Sequence, residues 1–168
     1  MATSLASGTN PYKLGSPPDF GTLYSGRALE FDGVTDYVDS GNASELNITT
    51  GDVTVSAWVY IDTLSGVDVI IGKRANAGSG AGYSLFIESN VLQWKVQGSS
   101  TSRNTVGGTT LSTGQWYYIV STFDYDGASY VYLNGVQDGT TGTNTTGSLT
   151  NSDAFRIGWD NTAGRYFD

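Results

Sequence analysis

The chain has no cysteine and no histidine among its 168 residues. The absence of cysteine excludes disulfide bonds, a thiol nucleophile and thiolate metal ligands. The absence of histidine removes the most common general base, so Ser-His and Cys-His catalysis are both excluded. The usual general base is therefore missing, and we expect the protein not to be an enzyme.

Positive charge is also scarce. Eight Lys and Arg residues are outnumbered by sixteen Asp and Glu residues, which gives a net charge of −8. This balance repels a phosphate backbone, so we expect no nucleic acid among the partners. The sequence also lacks an apolar run of about 18 residues, so no membrane insertion is expected.

Proline is rare too, and its three residues, Pro11, Pro17 and Pro18, all lie near the N-terminus. Because proline cannot donate to a β-ladder, we predict that residues 1–25 form an extended arm. The remaining residues, 26–168, have a suitable length for one domain with a single core.

What the sequence does contain is a repeated strand pattern. From Val53 to Ile61, apolar and other side chains alternate with a period of two, and similar segments recur about every ten residues. Both faces of this segment are bulky, which predicts a central strand. Asp32-Gly33 and Asn134-Gly135 predict two-residue hairpins. Together these patterns predict an all-β, antiparallel, two-sheet sandwich.

Several short motifs follow one another in a distinctive order. The order resembles that of the laminin G-like and concanavalin A-like lectin/glucanase superfamily, in particular its bacterial and viral branch. The resemblance spans residues 26–168 and implies a lectin-like jelly roll. The motifs are Ala28-Leu29-Glu30-Phe31-Asp32-Gly33, Thr54-Val55-Ser56-Ala57-Trp58-Val59, Ile71-Gly72-Lys73, Gly114-Gln115-Trp116, Tyr132-Leu133-Asn134-Gly135 and Ile157-Gly158.

The chain departs from this family in two places. Tyr117 and Tyr118 stand where relatives usually have histidine, and the sequence ends at Asp168, before the family's last strand. The second departure would leave a sheet edge unpaired, which invites pairing with another chain. We therefore expect either a fragment of a longer protein or a chain completed by a partner's strand, including a homo-oligomer.

The resemblance also implies a calcium site at the rim of the sandwich. It indicates Asp160 and Asn161 as ligands, with Asn76 as a facing ligand, because calcium prefers such oxygen atoms. The alternative is that Asp160-Asn161 makes a turn through Asx hydrogen bonds. Three ligands also fall short of the six to eight that calcium needs.

Four tryptophans, Trp58, Trp94, Trp116 and Trp159, are candidates for stacking on sugar rings. We expect most of them to lie in the core, because aromatic side chains dominate burial in a domain of this size. Trp159, beside a predicted loop, is the first ligand-binding candidate. Tyr83, after the glycine-rich segment 75–82, is the second.

Two charged motifs, Glu30-Phe31-Asp32 and Lys73-Arg74, are not predicted to form a catalytic or binding site. Glu30-Phe31-Asp32 begins like the Glu-x-Asp-x-Glu strand of the glucanases that share this fold, but position 34 is Val. The only other Glu residues, Glu45 and Glu88, lie in different segments, so the pair of carboxylates that a glycosidase needs cannot be assembled on one strand. The adjacent pair Lys73-Arg74 is predicted to be two solvated surface charges.

We therefore expect a non-enzymatic adhesion or structural domain whose loops contact glycans or neighbouring proteins. Met1 to Gly8 shows no secretory signal, although the Thr-, Ser-, Gly- and Asn-rich composition resembles that of exterior proteins. A virion surface protein, made in the host cytoplasm, reconciles the two observations. The alternative is an extracellular carbohydrate-binding module of a secreted bacterial protein.

Overall fold

The computed structural model describes residues 28–74, 80–99, 101–142, 147–161 and 164–168. These residues form two antiparallel β-sheets, with a short 3-10 turn at Ser44–Leu46 and no α-helix. The predicted all-β, two-sheet class is confirmed. In the same described ranges, no helix has the length and apolar character needed to cross a membrane.

The larger sheet has six strands in the spatial order β1-β10-β3-β4-β5-β6. Its centre is a meander of three long strands, in which successive strands pair with their neighbours in sequence. The six strands are β1 (Val38–Asp39), β3 (Val67–Arg74), β4 (Gly82–Glu88), β5 (Val91–Gln97), β6 (Ser102–Val106) and β10 (Arg156–Ile157).

The smaller sheet has four strands in the order β2-β7-β8-β9. They are β2 (Val53–Tyr60), β7 (Trp116–Phe123), β8 (Ser129–Leu133) and β9 (Val136–Gln137). β2 and β7 pair without interruption from Val53 opposite Phe123 to Tyr60 opposite Trp116. Among the described strands β2 has a partner on this side only, so the prediction of a central strand is wrong. Alternate residues of this sheet face the larger sheet, and the others face away from it.

The core lies between the two sheets. Trp94 of β5 is fully buried, as are Ile119 of β7 and Val131 of β8. Burial of such side chains contributes on the order of 1.5–3 kcal/mol each. The other buried apolar side chains include Ile61, Leu85, Ile87, Leu92, Val96, Leu111, Phe123 and Leu149.

The Asn134-Gly135 hairpin is confirmed. Both residues have positive φ, 51° and 84°, as a type I′ turn requires, and they connect β8 to β9. Ser89 and Asn90 also have positive φ and connect β4 to β5. These turns hold the paired strands in register.

The Asp32-Gly33 hairpin prediction is wrong. The Asp32 carboxylate accepts hydrogen bonds from the backbone N–H groups of Val34, Thr35 and Asp36, at 2.7 to 2.9 Å. It also accepts one from the Thr35 hydroxyl at 2.7 Å. A turn built on the Asp32 side chain therefore takes the place of the predicted hairpin. Of the two strands predicted around it, the residues from 28 onward form only a single bridge at Glu30 and the short strand β1.

The Lys73-Arg74 prediction is wrong as well, because both residues are buried. Lys73 Nζ donates to Asn42 Oδ1 at 2.8 Å and to the Asp153 carbonyl at 2.9 Å. Burial lowers the pKa of Lys73, and the charge of Asp153 opposes this shift. Lys73 lies opposite the core residue Tyr83, so its ammonium group joins the loops around Asn42 and Asp153 on the inner side of β3.

We predict that Asp32→Asn destabilises the fold in a pH-dependent way. The hydrogen bonds from Thr35, Val34 and Asp36 hold the pKa of Asp32 well below its ordinary value. A lowered folded-state pKa stabilises the protein above the unfolded-state pKa, and this contribution is lost as the pH falls. Denaturant unfolding should therefore show a difference between wild type and Asp32→Asn at pH 7 that shrinks below about pH 4.

The control for this experiment is Asp126→Asn, since Asp126 is an exposed loop residue. It should change the free energy of unfolding little at either pH. An Asp32→Asn effect of equal size at pH 7 and pH 3 would contradict the charge-based explanation.

Candidate functional site

The outer face of the four-stranded sheet displays six aromatic side chains, which we call the aromatic platform. Its position follows from strand alternation, because Val59 and Tyr117, the neighbours in sequence, point inward and are buried. The platform consists of Trp58 and Tyr60 on β2, Trp116 and Tyr118 on β7, and Tyr130 and Tyr132 on β8.

The aromatic side chains of β2 and β7 form cross-strand pairs. Trp58 lies opposite Tyr118, with ring centroids 5.1 Å apart and planes inclined by 34°. Tyr60 lies opposite Trp116, at 5.4 Å and 60°. Such pairs stabilise a sheet and hold the rings in defined orientations. The four rings therefore form a preorganised surface.

This surface is open to solvent. Trp58 is 66% exposed, Trp116 49% and Tyr60 37%. Tryptophan is usually well buried, so two adjacent exposed tryptophans on one sheet are not explained by core packing. A grouped apolar surface of this kind marks an interaction site.

The outer face also lacks charge. In the strands of the four-stranded sheet, the outward positions that are not aromatic hold Thr, Ser, Val or Gln. No Asp, Glu, Lys or Arg occupies an outward position of β2, β7 or β8, although the chain has eight basic and sixteen acidic residues. The surface therefore combines aromatic rings with uncharged hydrogen-bonding groups. The non-aromatic outward residues of these three strands are Thr54, Ser56, Val120 and Thr122.

The expectation that most tryptophans lie in the core holds for Trp94 but is wrong for Trp58 and Trp116. The sequence did contain a signal for them. Val55, Ala57 and Val59 alternate with Trp58 along β2, and their side chains face the core. The Trp58 side chain must therefore lie on the opposite face of the strand. This alternation predicts that Trp58 faces away from the core, but it does not predict whether another segment covers that face of the sheet.

Trp159 lies at a different place, between rings of its own chain. Its ring stacks on Tyr166 at 5.3 Å with an interplanar angle of 2°, and Tyr37 lies 4.8 Å away. The Arg156 guanidinium lies 5.2 Å from its centroid. These contacts occupy much of the Trp159 ring, and its role in ligand binding stays a prediction.

Tyr83 is a core residue. It is only 3% exposed, its hydroxyl donates to the Leu46 carbonyl at 3.2 Å, and its ring lies 6.0 Å from that of Trp94. Burial also raises the pKa of Tyr83. A ligand cannot reach the ring in this position, so the structure does not support Tyr83 as a binding residue.

Asp160, a predicted calcium ligand, is buried, with Oδ2 3.8 Å from Arg165 Nη1. Its Oδ1 has no hydrogen-bond partner in the described structure, and Asn161 is an exposed turn residue with φ of 66°. Asn76 lies outside the described residues.

The described ranges contain no group of three or more His, Cys, Asp or Glu residues that could hold a metal. Asp160 faces Arg165, and the described residues around it supply far fewer than six oxygen ligands, so they do not by themselves fit calcium. Calcium binding stays a prediction.

The Glu30-Phe31-Asp32 motif does not form a catalytic pair. The Asp32 carboxylate is occupied by the donors of its own turn, which lower its pKa. A glycosidase acid needs a raised pKa and a second carboxylate across the substrate. Asp32 is therefore a structural residue.

Comparison with known proteins agrees with this geometry. The sequence profile of the concanavalin A-like lectin/glucanases superfamily matches residues 32–168. None of the curated proteins matches the chain by sequence.

Similar solved structures include two binding domains and a pair of laminin domains. The binding domain of Paraclostridial Mosquitocidal Protein 1 has a TM-score of 0.62 at 12% identity, over 78% of this chain and 35% of its own. The ligand binding domain of botulinum neurotoxin serotype D, in complex with N-acetylneuraminic acid, has 0.61 at 15%, over 79% and 33%.

The third is domains LG4-5 of the mouse laminin α1 chain, with a TM-score of 0.57 at 12% identity, over 80% of this chain and 36% of its own. The present chain thus spans about a third of each solved structure, and at these identities the likeness shows a shared fold. Together with the profile match over most of the chain, the two-sheet architecture shows that the protein belongs to the concanavalin A-like lectin/glucanases superfamily, with a lectin-like jelly-roll fold.

Proposed function

We propose that this domain is a non-enzymatic glycan-binding domain that holds its ligand on the aromatic platform. The main support is the exposure of Trp58 and Trp116 on an uncharged sheet face. Sugar rings have apolar C–H faces, and an exposed aromatic ring can cover such a face and displace water from it.

The polar residues of the same face suit the edges of a sugar ring. Thr54 and Ser56 on β2 and Thr122 on β7 face outward with hydroxyl groups that can donate or accept hydrogen bonds. A few polar groups beside an aromatic surface are typical of sites that orient a small ligand. The platform therefore provides both stacking surface and hydrogen-bonding partners.

The lack of charge favours a neutral glycan. An anionic sugar gains affinity from Arg or Lys, which pair with its carboxylate or sulfate. The solved botulinum serotype D domain binds N-acetylneuraminic acid, which is such an anion. The outward positions of β2, β7 and β8 offer no cation to it. We therefore assign neutral saccharides to this surface.

The non-enzymatic role is supported by the state of Asp32, whose carboxylate is used within its own turn. The similar solved domains are named for binding rather than for catalysis. Whether the domain acts on a virion surface or in a secreted bacterial protein stays a prediction, and adhesion is compatible with both settings.

We predict that Trp58→Ala and Trp116→Ala each weaken glycan binding about tenfold, because each removes a stacking contact worth about 1–1.5 kcal/mol. A neutral oligosaccharide identified on a glycan array should be titrated against each variant by calorimetry. Each variant also loses one cross-strand ring pair, so the free energy of unfolding should fall by no more than roughly 0.2–1 kcal/mol.

The matched control is Trp159→Phe, which changes a tryptophan outside the platform. It should keep the affinity of the wild type. If Trp159→Phe abolishes binding while Trp58→Ala does not, the ligand lies at the rim and the platform assignment is wrong. Binding to none of the glycans on the array would contradict the proposed glycan-binding function.

A second prediction concerns the charge of the ligand. Neutral saccharides should bind with an affinity that changes little between low and high salt, because no ion pair is screened. Sialylated or sulfated versions of the same glycan should bind no better than the neutral one. A strong preference for the acidic glycan, lost at high salt, would show that the assignment to neutral saccharides is wrong.

A further inference from the structure

The aromatic platform continues beyond β2 and β7, because β8 contributes Tyr130 and Tyr132. Their ring centroids lie 6.2 Å apart, with planes inclined by 39°. Both side chains face outward and are half-buried, whereas Val131 between them points inward and is fully buried. The two tyrosines therefore extend the platform sideways onto a third strand.

Strand pairing arranges the outward side chains in rows across the sheet. Consecutive rows are two residues apart along a strand, which corresponds to about 7 Å. The distance from the first row to the fourth is therefore about 20 Å. In order, the rows are Tyr60 with Trp116, Trp58 with Tyr118, Ser56 with Val120 and Tyr132, and Thr54 with Thr122 and Tyr130.

The first two rows differ from the last two in the size of their side chains. In the first two rows, rings occupy both β2 and β7, whereas in the last two rows these strands carry only Ser, Thr and Val. Tyr132 and Tyr130 stand beside these smaller residues on β8. The last two rows thus form a shallow trough with the two tyrosines along one side. Its floor, which we call the small-residue floor, consists of Thr54, Ser56, Val120 and Thr122.

Exposed residues follow this surface at both ends in the described structure. Gln115 precedes Trp116 at one end, Asp124 follows β7 at the other, and both are exposed. Sites that recognise one small molecule are usually concave and bury most of it. A sheet face with exposed ends does not enclose a single sugar, so affinity on it has to come from several contacts in succession.

We propose, on the basis of the glycan-binding function argued above, that the platform binds an internal segment of an extended, unbranched, neutral polysaccharide. The chain of sugars lies along the strands, with two units over the ring pairs and the next units over the small-residue floor. Tyr132 and Tyr130 contact the side of this chain, and the hydroxyl groups of the floor bond to its hydroxyl groups. Since neither end of the platform encloses it, the polysaccharide continues past the platform in both directions.

The shape of the surface favours one class of neutral chain. Equatorial glycosidic bonds keep a chain extended, so that successive sugar rings can lie over successive rows of the sheet. An axial bond turns the chain at each unit and lifts the next ring away from the surface. Cello-oligosaccharides, β-linked manno-oligosaccharides and N-acetylated chito-oligosaccharides have equatorial bonds. Malto-oligosaccharides have an axial bond at each linkage and serve as the shape control.

The test compares chain lengths. The three equatorially linked series, from two to six units, are titrated against the full protein by calorimetry. In at least one series the affinity should rise about tenfold from two units to four, because each added unit contacts a further row, and should then level off. Malto-oligosaccharides should bind more weakly at every length. A soluble polysaccharide with the linkage of the best series should retard the protein in a native gel.

Two variants test the path of the sugar chain. Tyr132→Ala removes the side of the trough, and Ser56→Glu puts a charged side chain on its floor. Each should reduce the ratio of six-unit to two-unit affinity to near one. Ser56 is exposed, so Ser56→Glu tests the path even where Tyr132→Ala lowers stability. Ser102→Glu, at an exposed position of β6 in the other sheet, is the matched control and should leave the ratio unchanged.

Three results would overturn the proposal. The first is equal affinity for two and six units in every series. If Trp58→Ala still weakens an array glycan in that case, the glycan-binding function stands and only the recognition of a chain is wrong. The second is binding of malto-oligosaccharides as tight as that of the extended series. The third is an unchanged length dependence in both Tyr132→Ala and Ser56→Glu. Binding of no glycan at all would contradict both this inference and the proposed function.

Discussion

The register between β2 and β7 is the constraint on which the rest of the structure depends. Eight consecutive pairs connect these strands, and every second pair points into the core. Because side chains alternate, a slip of β2 by one residue against β7 would turn Trp58 and Tyr60 inward and expose Val59. The same pairing that forms the core therefore also forms the aromatic platform.

Register also determines the arrangement of the rings. The Trp58–Tyr118 and Tyr60–Trp116 pairs are direct cross-strand neighbours, so their positions follow from the backbone rather than from flexible loops. Sites built on strands are more precisely positioned than sites on loops. Since the sheet supports the platform, binding should need little rearrangement of the protein.

Much of the fold could be predicted from the sequence, because it depends on local rules. The period-two pattern of β2 and the Asn134-Gly135 turn each specify a local geometry, and the structure shows both. The prediction of a hairpin at Asp32-Gly33 was wrong because the Asp32 carboxylate accepts backbone hydrogen bonds that a hairpin would direct to a neighbouring strand. An Asp can either flank a hairpin or cap a turn with its carboxylate, and only the surroundings decide between the two.

The predictions that failed concern whether distant segments of the chain cover a residue or leave it exposed to solvent. The phase of Trp58 correctly separates it from the core face, but its exposure depends on whether another segment covers the sheet. Lys73 shows the reverse case, in which loops distant in sequence bury a charged residue and satisfy its ammonium group. Tyr83 adjoins a glycine-rich segment, yet its place in β4 puts it in the core. These outcomes depend on tertiary contacts that no local pattern encodes.

The platform and the core use opposite rows of the same strand. A glycan on the platform would contact the outward side chains of β2, whereas the inward row, which includes Val55, Ala57 and Val59, packs towards the larger sheet. One backbone positions both rows and pairs with β7 over its whole length. A ligand that binds the folded protein and not the unfolded chain stabilises the fold. A glycan held by Trp58 and Tyr60 would therefore also stabilise the pairing of β2 with β7, on which the core depends.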